Sequence, residues 1–285
     1  MTFQSVFRAD LFAGRAGIVT GAGSGLGRCT AHELAALGAR VALVGRDSGK
    51  LEAVAREIAG SGGTAHVFDC DIREEERVRD VVQAALRDFG RLDFLVNNAG
   101  GQFAAPLEKI SARGWDAVVR TNLTGGFLMA RECYVQHMKA HGGAIVNMIA
   151  DMWMGMPGMG HSGAARAGML NFTETAALEW APVRVNAIAP GWIASSGLDR
   201  YPPEMAAHIR ALPGKVPLGR LGTESEVSAA IVFLLSPAAA FISGACLRVD
   251  GAAPNAKRVW EQVGAGTSTV PFDGFHLAVK PKVLE

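Results

Sequence analysis

The chain has 285 residues, 49% apolar and 19% charged, with a net charge of +1 at neutral pH. That balance supports a large core, offers no electrostatic footprint for nucleic acid or an anionic membrane, and contains no apolar run of membrane-spanning or signal-peptide length. The four cysteines, Cys29, Cys70, Cys133 and Cys246, stand far apart with no C-x-x-C pair, so neither a zinc site nor a disulfide framework is expected, and a reducing cytoplasm fits.

In chain order, short β-branched runs alternate with helical periods. Strands are predicted at Gly17 to Thr20, Ala39 to Val44, Ala65 to Phe68, Phe94 to Asn97, Ala144 to Met148, Arg184 to Ala189 and Ala245 to Val249. Helices fall between them: one closed by Gly38, one carrying the apolar stripe Leu51 to Ile58, and an amphipathic one from Glu74 to Phe89 ahead of Gly90. Strands separated by helices predict a single α/β domain, a Rossmann-type doubly wound parallel sheet of about seven strands covered on both faces. Past Gly251 the pattern lapses into turn residues and isolated aromatics, Trp260, Phe272 and Phe275, read as an extension packed on the domain or a neighbouring subunit, or as a flap over the substrate cleft.

The first strand runs into T-G-A-G-S-G-L-G, residues 20 to 27. Gly21 permits the sharp turn, Gly23 and Gly25 leave room for a pyrophosphate, and Gly27 lets the next helix approach the sheet. The helix beginning near Ser24 and Leu26 offers unpaired N–H groups and the positive end of its dipole to an anion. The second strand ends at Gly45-Arg46-Asp47, where an acidic side chain would hold a ribose 2′-hydroxyl and an arginine a 2′-phosphate. Arg46 favours NADP(H) over NAD(H), with Asp47 as the competing signal. Arg28 is read as a surface charge or an addition to the phosphate field. Asp71, followed by Ile72, is read as an adenine contact or a helix N-cap.

At this point the residues resemble the short-chain dehydrogenase/reductase family over about residues 13 to 251, leaving 252 to 285 as the extension. The glycine turn is similar to the family's T-G-x-x-x-G-x-G, and Asn97-Asn98-Ala99-Gly100 matches its N-N-A-G. By resemblance, Asn98, Ala99 and Gly100 stabilise the sheet and border the adenosine ribose, and Asn122 in T-N-L-T-G holds a water of the proton relay. Pro190, Gly191 and Ile193 of P-G-W-I then lie beside the nicotinamide, and Ser195 takes the place of a threonine near its carboxamide. The resemblance also implies pairing of the helices near 115 to 139 and 162 to 180 into a homodimer or homotetramer.

The catalytic stretch departs from the family's Y-x-x-x-K. Here H-S-G-A-A-R-A-G puts Ser162 at the tyrosine position and Arg166 at the lysine, and Ile149 and Ala150 stand where the family's serine belongs. The chain has two tyrosines, Tyr134 and Tyr201, neither placed by spacing to substitute. An aliphatic hydroxyl is a poor acid, and arginine keeps its charge and donor fork. Reducing a ketone demands a proton at the alkoxide, whereas an enoyl thioester collects charge as an enolate that hydrogen-bond donors can stabilise. Ser162 with water near Asn122 is assigned as donor, Arg166 as the ribose anchor, and Asp151 or His161 as proton relay or as a solvated carboxylate and a packing histidine.

The text therefore resembles the trans-2-enoyl-CoA and 2,4-dienoyl-CoA reductase branch, although Met152 and Trp153 stand where the dienoyl enzymes, by resemblance, recruit a tyrosine. Met148, Met152, Met154, Met156 and Met159 suggest an irregular apolar pocket or core filler. Three functions compete: reduction of a 2-enoyl-CoA, dehydrogenation of an apolar alcohol or aldehyde such as a terpenol, and a catalytically impaired nucleotide-binding protein.

Overall fold

A computed structural model describes residues 2–255 and 268–285. Seven strands, β1 (Ala16–Thr20), β2 (Arg40–Gly45), β3 (Thr64–Asp69), β4 (Phe94–Asn97), β5 (Ala144–Met148), β6 (Arg184–Pro190) and β7 (Cys246–Val249), form one sheet in the order β3-β2-β1-β4-β5-β6-β7. Every neighbouring pair is parallel. The chain reverses direction across the sheet between β1 and β4, the switch point at which doubly wound sheets bind ligands.

The alternation of side chains along each strand builds two cores. Val19, Leu43, Val96 and Val146 pack with Leu34, Leu51 and Ile231 on one face, while Ile18, Val44, Leu95 and Ile145 pack with Val78, Val82 and Met129 on the other. The central strands β1, β4 and β5 are therefore buried at every position, whereas the edge strands β3 and β7 are partly wetted.

The helices are α1 (Gly25–Ala36), α2 (Ser48–Gly60), α3 (Glu75–Phe89), α4 (Ala112–Val119), α5 (Gly125–Cys133), the single turn α6 (Lys139–His141), α7 (Gly160–Glu179), α8 (Ala206–Ala211) and α9 (Glu224–Leu235). Gly38, at φ +92°, follows the last turn of α1, and Gly90, at φ +72°, ends α3 in the left-handed conformation that glycine adopts without strain. From α4 to α6 the backbone is one rod interrupted by π-turns at Arg120–Thr124 and Tyr134–Met138. Asn122 sits in the first of these widened turns.

The described part of the tail packs on the chain's own body. Phe275 is buried, with Phe3 at 5.7 Å and the Arg28 guanidinium at 5.1 Å from its ring. Further on, the Val283 N–H donates to Asp199 and the Arg210 side chain donates to the Val283 carbonyl, tying the chain end to the segment that leads into α8. Trp260 lies outside the described residues.

Candidate active site

At the carboxyl ends of β1, β2 and β4 lies a cleft of about 440 Å³. Gly21, Gly23, Ser24, Gly25 and Leu26 form its floor; Arg46, Asp71 and Ile72 line one end, and Asn98, Ala99, Gly100 and Ser195 the other. Gly21 takes φ +65°, and a Cβ on Gly27 would stand 2.3 Å from the Gly21 carbonyl oxygen, so the helix meets the turn only because both are glycine. Thr20 and Asn98 stitch this corner. The Thr20 hydroxyl accepts from the Asn98 and Ala99 N–H groups, and the Asn98 amide donates to the Thr20 carbonyl at 3.0 Å.

Several expected side chains do not face this cleft. Gly27 lies behind the turn. Gly191 is held against Asp250, where a Cβ would come within 2.8 Å, and Ile193 is buried in the core beneath Gly222. Pro190 ends β6 and does not line the cleft. Lys50, Arg73 and Ser196 also line it and had no motif to mark them, as does Thr121, which opens the T-N-L-T-G segment.

Charges at the adenosine end are already partly committed. Asp47 caps α2 by accepting from the Lys50 N–H at 3.1 Å, which holds its carboxyl below the usual range. Asp71 is not the N-cap of α3, a place held by Glu74; the chain turns one step earlier, and Asp71 instead binds the Arg73 guanidinium and N–H, which lowers its pKa. Arg28 forms a bidentate pair with Glu57 and is drawn away from the phosphate seat. Arg46 is exposed and forms no salt bridge among the described residues.

Around the opposite end the catalytic candidates converge. Asn122 is buried and holds both polar groups of Gly101, accepting from its N–H at 2.9 Å and donating to its carbonyl at 3.0 Å. Arg166 is buried, donates to the Met148 carbonyl, and has no carboxylate partner among the described residues. Desolvation alone pulls its pKa down to about 10, and its Nε–H finds no acceptor. It lies over Gly100, where a Cβ would fall 2.5 Å from the guanidinium. A buried cation with donors to spare, beside a glycine cradle that tolerates no side chain, fits the ribose and phosphates of a nicotinamide dinucleotide.

Ser162, fully buried, donates from Oγ to Gln102 Oε1 at 2.7 Å. His161 accepts the Ser162 N–H at Nδ1, which places its own proton on Nε2; that atom is buried without a partner, and the ring meets Phe103 edge-on at 4.5 Å. The Gln102 amide in turn donates to the Tyr201 hydroxyl at 3.4 Å, and that hydroxyl faces the Met159 sulfur at 4.0 Å. Sequence spacing hid Gln102 and Tyr201, because two loops far apart in the chain bring them in.

Asp151 stands apart from this corner. It is half-buried, and desolvation and Asp250 raise its pKa against the opposing pull of Arg248; it makes no hydrogen bond to Ser162 or Gln102. The methionines do not share one role, and Trp153 carries the Arg248 guanidinium 5.2 Å from its ring. Met148 and Met152 pack with core clusters, Met154 is 84% exposed, Met156 lies beside Gly163, and the Met159 sulfur faces the Tyr201 hydroxyl. Exposed apolar side chains near this corner are Phe103, edge-on to His161, and Leu107, against Gly160.

Residues 21–252 match the family model described as "Enoyl-(Acyl carrier protein) reductase". The chain is 39% identical over 243 residues to a probable 2,4-dienoyl-CoA reductase of Bacillus subtilis, covering 83% of this chain and 95% of the relative. It is 36% identical over 249 residues to a D-threitol dehydrogenase of Mycolicibacterium smegmatis, covering 86% and 94%. Among solved structures, a citronellol catabolism dehydrogenase of Pseudomonas aeruginosa PAO1 superposes with a TM-score of 0.80 at 58% identity, over 88% of this chain and 99% of that one.

Proposed function

The chain belongs to the short-chain dehydrogenase/reductase family, and from that premise we propose that it is an NADP(H)-dependent reductase of 2-enoyl-CoA thioesters with apolar acyl chains. The observation that carries the reading is Ser162, a hydroxyl donor 2.7 Å from the Gln102 amide, standing where the family's phenol belongs. When bound, the reduced nucleotide supplies the hydride. Arg166 anchors the ribose, Asn122 fixes the Gly100–Gly101 backbone, and Ser162 and Gln102 form the hydrogen-bonded corner toward which the thioester oxygen points as charge collects there. Phe103 and Leu107 offer the acyl chain an apolar entrance. The dienoyl-CoA reductase relatives support the thioester substrate. The test is oxidation of NADPH with a panel of 2-enoyl-CoA esters, and bound NADPH with no turnover on any of them would remove the reading.

NADP(H) is proposed over NAD(H) because Asp47 is spent on capping α2 while Arg46 remains free beside the cleft. Arg46→Ala is expected to weaken NADPH binding about tenfold and leave NADH binding unchanged, by fluorescence titration. Equal losses for both nucleotides would contradict the assignment.

The citronellol dehydrogenase relative supports a second substrate class, an acyclic terpenoid alcohol or aldehyde. Dehydrogenation of citronellol or geraniol with NADP⁺, faster than any enoyl-CoA reduction, would select it. We also propose a cytoplasmic homodimer or homotetramer; the exposed Val135 and Leu178, on the rod and on α7, support pairing there.

A further inference from the structure

Resting on the reading of a hydride-transfer site at Ser162, we propose that Tyr201 is the acid of this site, a phenol returned to the reaction from a different segment of the chain. Of the two tyrosines, Tyr134 is stacked on Trp180 at 4.6 Å within the core beneath α5 and α7, away from Ser162. Tyr201 follows the short helical turn Ser196–Arg200 between β6 and α8. Its ring packs with Leu198, Ile209 and Leu212, which fixes where the hydroxyl emerges.

Hydrogen-bond polarity at the corner singles out the phenol. The Ser162 proton is taken by Gln102 Oε1, and one Gln102 N–H is given to the phenol oxygen. The Tyr201 proton faces only the thioether of Met159, a weak acceptor. A carbonyl oxygen or enolate entering between Gln102 and Met159 is a far better acceptor, and the phenol is the most acidic donor of the trio, since neither an amide N–H nor an aliphatic hydroxyl gives up its proton readily. Ser162 and Gln102 orient it. The segment bearing Tyr201 is itself tied down, because Asp199 accepts from the Val283 N–H and Arg210 donates to the Val283 carbonyl.

The balance is complete with a reduced nicotinamide nucleotide as the hydride source. Hydride, with its electron pair, adds to the β-carbon, and the carbon–carbon π pair shifts toward the α-carbon and thioester oxygen. The phenol O–H then breaks, its proton forms the new bond at the α-carbon, and the phenolate recovers a proton from water. Alcohol oxidation would run the phenol in the opposite sense, as base.

Tyr201→Phe keeps the packed ring and removes only the hydroxyl. The expected result is a kcat lowered about a hundredfold for 2-enoyl-CoA, with KM, NADPH affinity and melting temperature unchanged. Proton delivery then limits the variant, so its solvent deuterium effect rises and the effect of 4-deuterated NADPH fades. A packing role would move KM or melting temperature and leave the isotope pattern as in wild type. An active wild type with an equally active Tyr201→Phe overturns the assignment of Tyr201 and leaves the enoyl-CoA reading standing. A wild type that oxidises citronellol but reduces no enoyl-CoA overturns the substrate reading, and Tyr201→Phe must then lose alcohol turnover by a similar factor or the assignment falls as well. A wild type inert to both panels overturns both.

Discussion

Arg166→Met is expected to melt at a higher temperature than the wild-type protein while binding NADPH about a hundredfold more weakly. The guanidinium is buried, with one carbonyl partner and no carboxylate among the described residues, and desolvation pulls its pKa down to about 10. Because the folded value lies below the unfolded one, the unfolded chain holds more protons above about pH 10, and the burden of the charge is relieved only as pH rises past that value. At neutral pH the burden is fully present, on the order of 3 kcal/mol. Methionine fills the space without a charge and recovers part of that. It also removes the charged donors that would meet the ribose, each worth about 1.5–3 kcal/mol. Calorimetry with and without NADPH reads both effects. A variant that melts lower yet keeps its affinity would show that Arg166 serves the fold and not the ligand.

Glu224→Gln should be more stable than wild type at pH 8, by on the order of 3 kcal/mol, and should lose that advantage near pH 4.5. Glu224 opens α9 and is 8% exposed, with its Oε1 3.8 Å from where a Gly25 side chain would begin. Burial pushes its pKa up to about 7, with Asp273 adding to the rise and Arg28 opposing it. A folded value above the unfolded one means that the unfolded chain releases its proton first as pH rises. Stability is therefore whole below about 4.5, falls through the interval to about 7, and stays low above it; glutamine, neutral throughout, escapes the fall. Urea melts at the two pH values measure it, and parallel losses in both proteins would place the pH dependence elsewhere.

The fold was legible because its signals are local. Continuous apolar strands, Gly38 and Gly90 at helix ends, and the paired glycines at Gly21 and Gly27 each state their geometry within a few residues, and all seven strands lie within one residue of their expected ends. The glycine-lined cleft was legible for the same reason, since turn, helix and N-N-A-G are contiguous motifs that meet along it. The catalytic corner was not. Gln102 reaches Ser162 across 60 positions and Tyr201 reaches Gln102 across 99, through contacts made by loops that carry no period or turn signature. Arg28 and Asp71 show a related limit: a lone charge in a sequence does not declare its partner, and here Glu57 and Arg73 pair with them.

The most direct measurement is the fate of deuterium from 4-deuterated NADPH incubated with the protein and a 2-enoyl-CoA. Mass spectrometry of the product should find one deuterium at the β-carbon of a saturated acyl thioester, with the proton at the α-carbon drawn from solvent. Tightly bound nucleotide whose label never leaves it, over the same thioesters, would contradict the account.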